Sequence, residues 1–157
     1  MPGRPAALVV GTLLAAAVLA GCGSVVPGQA RVGLVPPSDR ALIDAYVGDA
    51  NRAGDAGPAA QTSFLRASQA PGAPFPPDRC FGDVTLQTDL VARTLRPDPD
   101  WRPPQTAPGP AGPDGAVYVV AAAVSVRKGS LEVREDVGSK HFVIRDARVS
   151  GYAPCAD

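Results

Sequence analysis

The residues with the most distinctive chemistry in this sequence are three cysteines, Cys22, Cys80 and Cys155. A cysteine thiol can act as a nucleophile, form a disulfide or bind a metal ion. The spacing argues against a metal site, because no CxxC pair is present and His141 is the only histidine. The cysteines therefore indicate covalent chemistry, and their sequence context must show which kind.

Cys22 follows an uncharged run of 15 residues, Ala6–Ala20 (AALVVGTLLAAAVLA), and Arg4 is the only charged side chain before it. A helix that spans the hydrocarbon core needs about 20 apolar residues, so this run is short for a membrane span. Its length and its position after Arg4 are typical of the apolar region of a signal peptide. The sequence therefore predicts export of the chain.

The run ends in Leu19-Ala20-Gly21-Cys22, which resembles the lipobox of bacterial lipoproteins. This resemblance implies attachment of lipid to the Cys22 thiol, cleavage between Gly21 and Cys22, and removal of residues 1–21 as a signal peptide. The alternative is an ordinary signal peptide or membrane helix that contains a cysteine. Since two acyl chains suffice for stable anchoring, we expect the mature chain at the extracytoplasmic face of the cell membrane.

The segment that follows the lipid site, Gly23–Ser38, contains three prolines, three glycines and no helical pattern. Such a composition favours an extended segment over a packed element. We therefore interpret residues 22–38 as the lipidated cysteine and a flexible tether, and residues 39–157 as one domain.

Lipidation of Cys22 would leave Cys80 and Cys155 as a pair in an oxidising compartment, where disulfides persist. The two cysteines lie 75 residues apart. A bridge that closes such a loop stabilises the fold by about 4 kcal/mol in the chain-entropy model. We predict this disulfide; two free thiols or a shared metal ion are the alternatives.

The charge balance excludes one class of partner. Removal of residues 1–21 takes away Arg4 and leaves 14 basic residues against 15 acidic ones. Binding of nucleic acid needs clustered Lys and Arg, whereas the basic residues here are interleaved with acidic ones. We therefore expect no nucleic-acid partner, and no motif in the chain indicates a cofactor.

The first elements of the domain are two predicted helices. Ser38 is a candidate N-cap, and small and apolar residues then recur at three- and four-residue spacing up to Gly54, a candidate C′ residue. The predicted inward stripe of this helix is Leu42, Ala45, Tyr46, Ala50 and Ala53. Asp55 or Gly57 with Pro58 begins the second helix, with Ala60, Phe64, Leu65 and Ser68 on its inward face.

The second half of the domain has β character. A strand is predicted near residues 82–95, with Val84, Leu86 and Leu90 facing the core, and a second strand at Ala116–Arg127. Lys128-Gly129 and Gly138-Ser139 are candidate turns, and a last strand runs from His141 to Tyr152.

Residues 96–115, between the first two predicted strands, form a loop with seven prolines. Its Trp101, the only tryptophan, either pins the loop onto the domain or is an exposed binding group. We favour the pinning role, because a tryptophan buries a large apolar surface.

Two helices followed by an antiparallel meander predict an α+β domain, with the helices on one face of a curved sheet of about four strands. The segment Ala41–Ala70, with Gly54-Asp55 between its helices, resembles the opening of NTF2-like proteins, including their SnoaL-like members. The closing His141–Tyr152 segment is similar to their last strand. The Gly-x-Trp of their final hairpin is absent and the Pro-rich loop is additional, so a cystatin-like fold is the alternative.

The resemblance implies where catalysis would occur. Enzymes of the NTF2-like group work from polar residues that line the cone between helices and sheet, commonly an Asp or His base. The candidates here are Asp44, Asp89 and His141. Each falls off the predicted apolar face of its element, so we interpret all three as solvated surface groups.

The sequence therefore favours a non-catalytic binding or interaction module that docks a partner protein of the envelope or a small apolar ligand. The alternative is an NTF2-like enzyme with an unrecognised base.

Overall fold

A computed structural model describes residues 33–70, 82–103 and 112–152 of the chain. The predicted signal peptide, the lipobox with Gly21 and Cys22, most of the tether, and the predicted bridge between Cys80 and Cys155 lie outside the described residues. Within the described ranges, no helix is both long enough and apolar enough to span a membrane.

The first helix, α1, covers Pro37–Asp55. The prediction of a Ser38 cap was wrong: Pro36 is the N-cap and no side chain caps the helix. Pro37 occupies the first helical position, where its fixed φ suits the helix and its missing N–H is not needed. Residues 33–36 of the predicted tether are also placed on the domain, because Val35 packs against the core.

Gly54 does not end α1 as a C′ residue, as its sequence position predicts. It lies in the last helical turn and is buried, and the C-cap is Ala56 in the right-handed helical region. A Cβ atom on Gly54 would lie 2.7 Å from Gln61 Nε2 and 3.0 Å from the Leu86 carbonyl oxygen. The glycine is therefore needed for the close approach of α1 to its neighbours, not for a left-handed backbone.

The second helix, α2, covers Pro58–Ser68 and follows α1 after a tight turn through Gly57, whose φ is +115°. The inward face of α1 is rotated from the predicted stripe, since Ile43, Val47 and Gly54 are buried while Ala45 is exposed. In α2 the buried residues are Leu65, as predicted, and Gln61, which was not.

Five antiparallel strands form one curled, half-barrel sheet against which the helices pack. The strands are β1 (Thr85–Leu90), β2 (Arg96–Pro97), β3 (Ala116–Lys128), β4 (Leu131–Arg145) and β5 (Arg148–Gly151). Their order is β1-β3-β4-β5, and β2 pairs with β3 beyond the end of β1. The predicted α+β class is thereby confirmed, and the arrangement is consistent with the NTF2-like fold.

The first predicted strand, near residues 82–95, is divided. A short 3₁₀ turn, Ala92–Thr94, separates β1 from β2. Strand β3 keeps its hydrogen bonds across this gap, because the Ala121 amide donates to Thr94 Oγ1 (2.8 Å) and its carbonyl accepts from the Val91 amide (2.8 Å). The division therefore bends the sheet edge without leaving backbone groups of Ala121 unpaired.

The β3–β4 hairpin confirms one predicted turn and contradicts another. Lys128 pairs with Leu131 around a two-residue turn in which Gly129 has φ +61°. The predicted turn at Gly138-Ser139 does not form, because Gly138 pairs with Ala122 in the middle of a continuous β4. The long β3 thus receives a partner along its whole length.

The chain reverses instead at Asp146-Ala147, where both residues have positive φ (50° and 56°). Two consecutive positive φ values in a two-residue connection define a type I′ turn, whose twist suits a β-hairpin. The predicted last strand is therefore split into the end of β4 and β5.

The core has two parts, both between helices and sheet. The larger contains Ile43 and Val47 of α1 against Tyr118, Val120 and Phe142 of the sheet. The smaller joins Leu65 of α2 to Leu86 and Val126. Tyr118 also donates a hydrogen bond to Asp39, and burial together with that carboxylate raises the pKa of Tyr118 to about 12.

Candidate functional site

Two of the three candidate bases lie in solvent. Asp44 is exposed on α1 and Asp89 is exposed on β1, as their positions between apolar neighbours predict. Both therefore have the surface placement that the sequence indicated.

The prediction that His141 is a solvated surface group was wrong. Its side chain is only 16% exposed, and Nε2 lies 3.0 Å from Asp98 Oδ2. The Trp101 indole stacks on the imidazole, with ring centroids 4.0 Å apart and planes at 13°. Desolvation lowers the pKa of His141, and the Asp98 carboxylate partly opposes this effect.

Trp101 pins the start of the Pro-rich loop onto the sheet, as favoured from sequence. Besides His141, it contacts Tyr152 edge-on at 4.8 Å. His141 pairs with Val119 on β3, so the stack of Trp101 on His141 lies on the face of the sheet that points away from the helices. We call that face the outer face and the helix-covered face the inner face.

The inner face holds a small cavity of about 30 Å³, the space that the sequence interpretation treated as the cone. Since one water needs about 10–15 Å³, this volume accommodates about two water-sized groups. The lining residues come from both helices, the sheet and the end of β5: Tyr46, Val47, Ala50, Asn51, Gln61, Leu65, Thr88, Lys140, Phe142, Gly151 and Tyr152. Within the described part of the chain, neither a carboxylate nor a histidine is in this lining.

Two side-chain amides of the lining close the free edge of β1. Gln61 Nε2 donates to the Leu86 carbonyl and Gln61 Oε1 accepts from the Leu86 amide, both at 2.7 Å. Asn51 makes the same pair of bonds with Thr88, both at 2.9 Å. The two amides thus occupy the positions of a neighbouring strand, and so protect an edge that would otherwise expose unpaired backbone groups.

Tyr46 also has its polar atom engaged. Its hydroxyl accepts a hydrogen bond from Ser68 Oγ at 3.3 Å, and burial raises the pKa of Tyr46. A Cβ atom on Gly151 would lie 2.6 Å from that hydroxyl oxygen, so only glycine fits there.

Lys140 is the one cationic residue of the lining. It lies on the inner face opposite Val120 and is partly buried. Desolvation lowers the pKa of its ammonium group to about 8, and no ion pair or side-chain hydrogen bond among the described residues compensates. Lys128, the other lysine, differs: its Nζ lies 2.7 Å from Asp83 Oδ2, and this raises its pKa.

A larger depression of about 570 Å³ lies beside the β4–β5 turn. It is lined in part by Arg145, whose guanidinium lies 2.7 Å from the Asp114 carboxylate. Because this depression is open and its charges are partly paired, the smaller cavity is the more defined site.

The first part of β4, Leu131–Ser139, is exposed on its remaining edge and on both faces; we call it the open β4 segment. Among the described strands, β5 pairs with β4 only from Phe142 to Arg145. Three large apolar side chains of the open β4 segment are exposed: Val137 by 80%, Leu131 by 65% and Val133 by 51%.

The described residues contain no cluster of three His, Cys, Asp or Glu side chains that would suit a metal ion. No protein-family model, curated protein or solved structure matches this chain. The structure defines the protein as an α+β domain consistent with the NTF2-like fold. Its function is inferred below from the cavity and the exposed surfaces of the domain.

The sequence missed Gln61, Asn51 and Lys140 as cavity residues. Gln61 is 25 residues from its partner Leu86, and Asn51 is 37 from Thr88. Lys140 has a visible signal, since it lies two residues before Phe142 and four before Ile144 and so shares their face of the strand. The predicted last strand began only at His141, so it did not include Lys140.

Proposed function

We propose that this protein is a membrane-anchored, extracytoplasmic interaction module, held by lipid on Cys22, that docks a partner protein without catalysing a reaction. The anchor is supported by the sequence of residues 1–22. The docking role is supported by the size of the inner cavity, because about 30 Å³ is far below the volume of a pocket that encloses a drug-sized ligand.

The observation that carries the proposal is the open β4 segment. An exposed edge strand offers free backbone donors and acceptors to another chain, and natural proteins usually protect such edges. Here the edge also bears Leu131, Val133 and Val137. Exposed apolar side chains grouped in one place mark interaction surfaces, so partner docking is the role that this segment fits.

A photo-crosslinking experiment tests the proposal in the native membrane. A photoreactive amino acid at position 137 is expected to give a discrete adduct with one envelope protein, whereas the same residue at the exposed position 44 on α1 gives none. Purified partner should then bind the wild-type chain and lose most of its affinity for Val137→Asp, but not for Asp44→Ala. Equal adducts at both positions, or unchanged binding to Val137→Asp, would contradict the proposal.

An enzyme of the NTF2-like type is the second candidate, and the Asp98–His141 pair is the observation that favours it. The pair resembles a positioned base. It lies on the outer face beneath Trp101, however, and neither Asp98 nor His141 belongs to the lining of the cavity on the inner face. A covered imidazole of this kind supports a structural role, and loss of a measured activity in His141→Gln with retained stability would favour the enzyme instead.

A further inference from the structure

We propose that Lys140 is the anchor of a carboxylate-binding site, in which its ammonium group receives the carboxylate of a small monocarboxylic acid that enters the cavity between helices and sheet. The site lies on the inner face and is independent of partner docking at the open β4 segment.

The first argument is the missing counter-charge. A partly buried ammonium group without a partner is costly, since burial weakens its hydration and nothing replaces it. Lys140 is in this state among the described residues, while Lys128 has Asp83. An incoming carboxylate would supply the charge that the described residues do not.

The second argument is the chemistry of the remaining lining. Asn51 and Gln61 already bind the edge of β1 through their amides, so Lys140 is the strongest remaining donor. Tyr46, Leu65 and Phe142 supply apolar surface around it. One cation among apolar walls suits a ligand with one negative end and a short apolar body.

The third argument is size. A cavity of about 30 Å³ accepts a head group and not a bulky ligand. The class that fits is therefore a short monocarboxylate, with its carboxylate in the cavity.

The site has a defined pH dependence. Of the residues that line it, Lys140, Tyr46 and Tyr152 titrate, and burial raises the pKa of both tyrosines so that they stay neutral below pH 10. The residues that α2 and β1 contribute to the lining are uncharged. Farther along the inner face of β4, Arg134 forms an ion pair with Asp136 at 2.7 Å. Lys140 is therefore the group that controls binding near neutral pH, and its pKa of about 8 leaves it charged at pH 6.5 and largely neutral at pH 9.5.

Two measurements on the purified full chain test the site, with acetate and butyrate as probes and 1-butanol as the neutral control. In NMR titrations of isotopically labelled lysine, the chain gives two side-chain signals, Lys128 and Lys140. Butyrate should raise the pKa of Lys140 above its free value and leave that of Lys128 unchanged. Apparent affinity should fall about thirtyfold between pH 6.5 and pH 9.5, because only the charged fraction binds.

The variants complete the test. Butyrate should raise the melting temperature of wild type and Lys128→Met at pH 6.5, but not that of Lys140→Met, and butanol should have no comparable effect. An unchanged Lys140 pKa, an equal response in Lys140→Met, or equal stabilisation by butanol would overturn the proposal. Since the NMR measurement uses the wild-type chain, it decides the matter even if Lys140→Met does not fold.

Discussion

Lys140 and His141 are neighbours on β4, yet they lie in opposite environments. Lys140 faces the helices and has no charged partner among the described residues, while His141 faces the outer side, where Asp98 binds it and Trp101 covers it. Burial lowers the pKa of both side chains. The difference shows that the outer face is covered by its own loop at His141, whereas the inner face has a cationic group that its described neighbours leave uncompensated.

The largest expected effect concerns the closure of the outer face. Tyr152 contacts Trp101 and is followed three residues later by Cys155, the predicted partner of Cys80. Replacing both cysteines by serine should lower the free energy of unfolding by about 4 kcal/mol, because the cross-link no longer restricts the unfolded chain. Denaturant unfolding with and without reductant measures this loss; an identical midpoint for the wild type under both conditions would argue against the bridge.

On the inner face, Gln61→Ala should destabilise the fold by about 3 kcal/mol. The substitution leaves the Leu86 amide and carbonyl buried without partners, and each unsatisfied group costs about 1–3 kcal/mol. Gln87→Ala is the matched control. Gln87 Nε2 donates to the exposed Asp55 carboxylate at 2.8 Å and to the partly buried Asn51 carbonyl at 3.2 Å, so its loss should cost less than that of Gln61. Similar urea midpoints for the two variants would show that Gln61 does not close the β1 edge.

On the outer face, Trp101→Ala should lower the free energy of unfolding by about 2 kcal/mol, which is less than the loss expected for replacing a fully buried tryptophan. It should also raise the pKa of His141, since the imidazole regains water while Asp98 still favours its charged form. Trp101→Phe should retain much of both properties. Histidine NMR titration measures the pKa, and an unchanged value in Trp101→Ala would mean that the stack does not desolvate His141.

The smallest effects are in the pH dependence, and they separate the two faces. The unfolded chain binds more protons than the folded one wherever a folded pKa is lowered, so stability rises with pH through that window. The rise in stability that His141 causes ends near pH 6.5, the ordinary pKa of histidine. The rise that Lys140 causes begins near pH 8, its pKa in the folded chain. Above pH 10 the raised pKa values of Tyr46 and Tyr118 reverse the trend.

His141→Phe should flatten the acid part of the profile and Lys140→Met the part between pH 8 and 10. Unfolding free energies across pH 5–10 measure both slopes. If each variant kept the wild-type slope in its window, neither side chain would be buried as the structure shows.

Local patterns sufficed for much of the fold. A periodic apolar face predicts both helices, and Pro58 at N1 marks the start of α2. The Val-rich run with Lys128-Gly129 after it predicts β3 and its hairpin. Gly138-Ser139 was misinterpreted because a turn-forming pair can also sit inside a strand when β3 extends past it. Asp146-Ala147 was missed because alanine rarely adopts positive φ.

The site depended on contacts that no local pattern contains. From sequence, His141 is expected to be solvated. In the structure the first part of the Pro-rich loop packs on the sheet, and Asp98, 43 residues away in sequence, contacts His141. Asn51 and Gln61 have the sequence context of ordinary polar helix residues. Their hydrogen bonds to the edge of β1 depend on the position of that strand in the folded domain. Alternation along β4 explains why Lys140 lies on the inner face, although the predicted strand began only at His141. Its lack of a charged partner among the described residues could be seen only in the packed structure.

The anchored-module proposal depends most on Cys22. Metabolic labelling with a palmitate analogue should mark the wild-type protein in the membrane fraction. It should be lost from Cys22→Ala, which is expected to be uncleaved or released. Labelling of Cys22→Ala at the wild-type level would contradict the lipid anchor and with it the proposed location of the module.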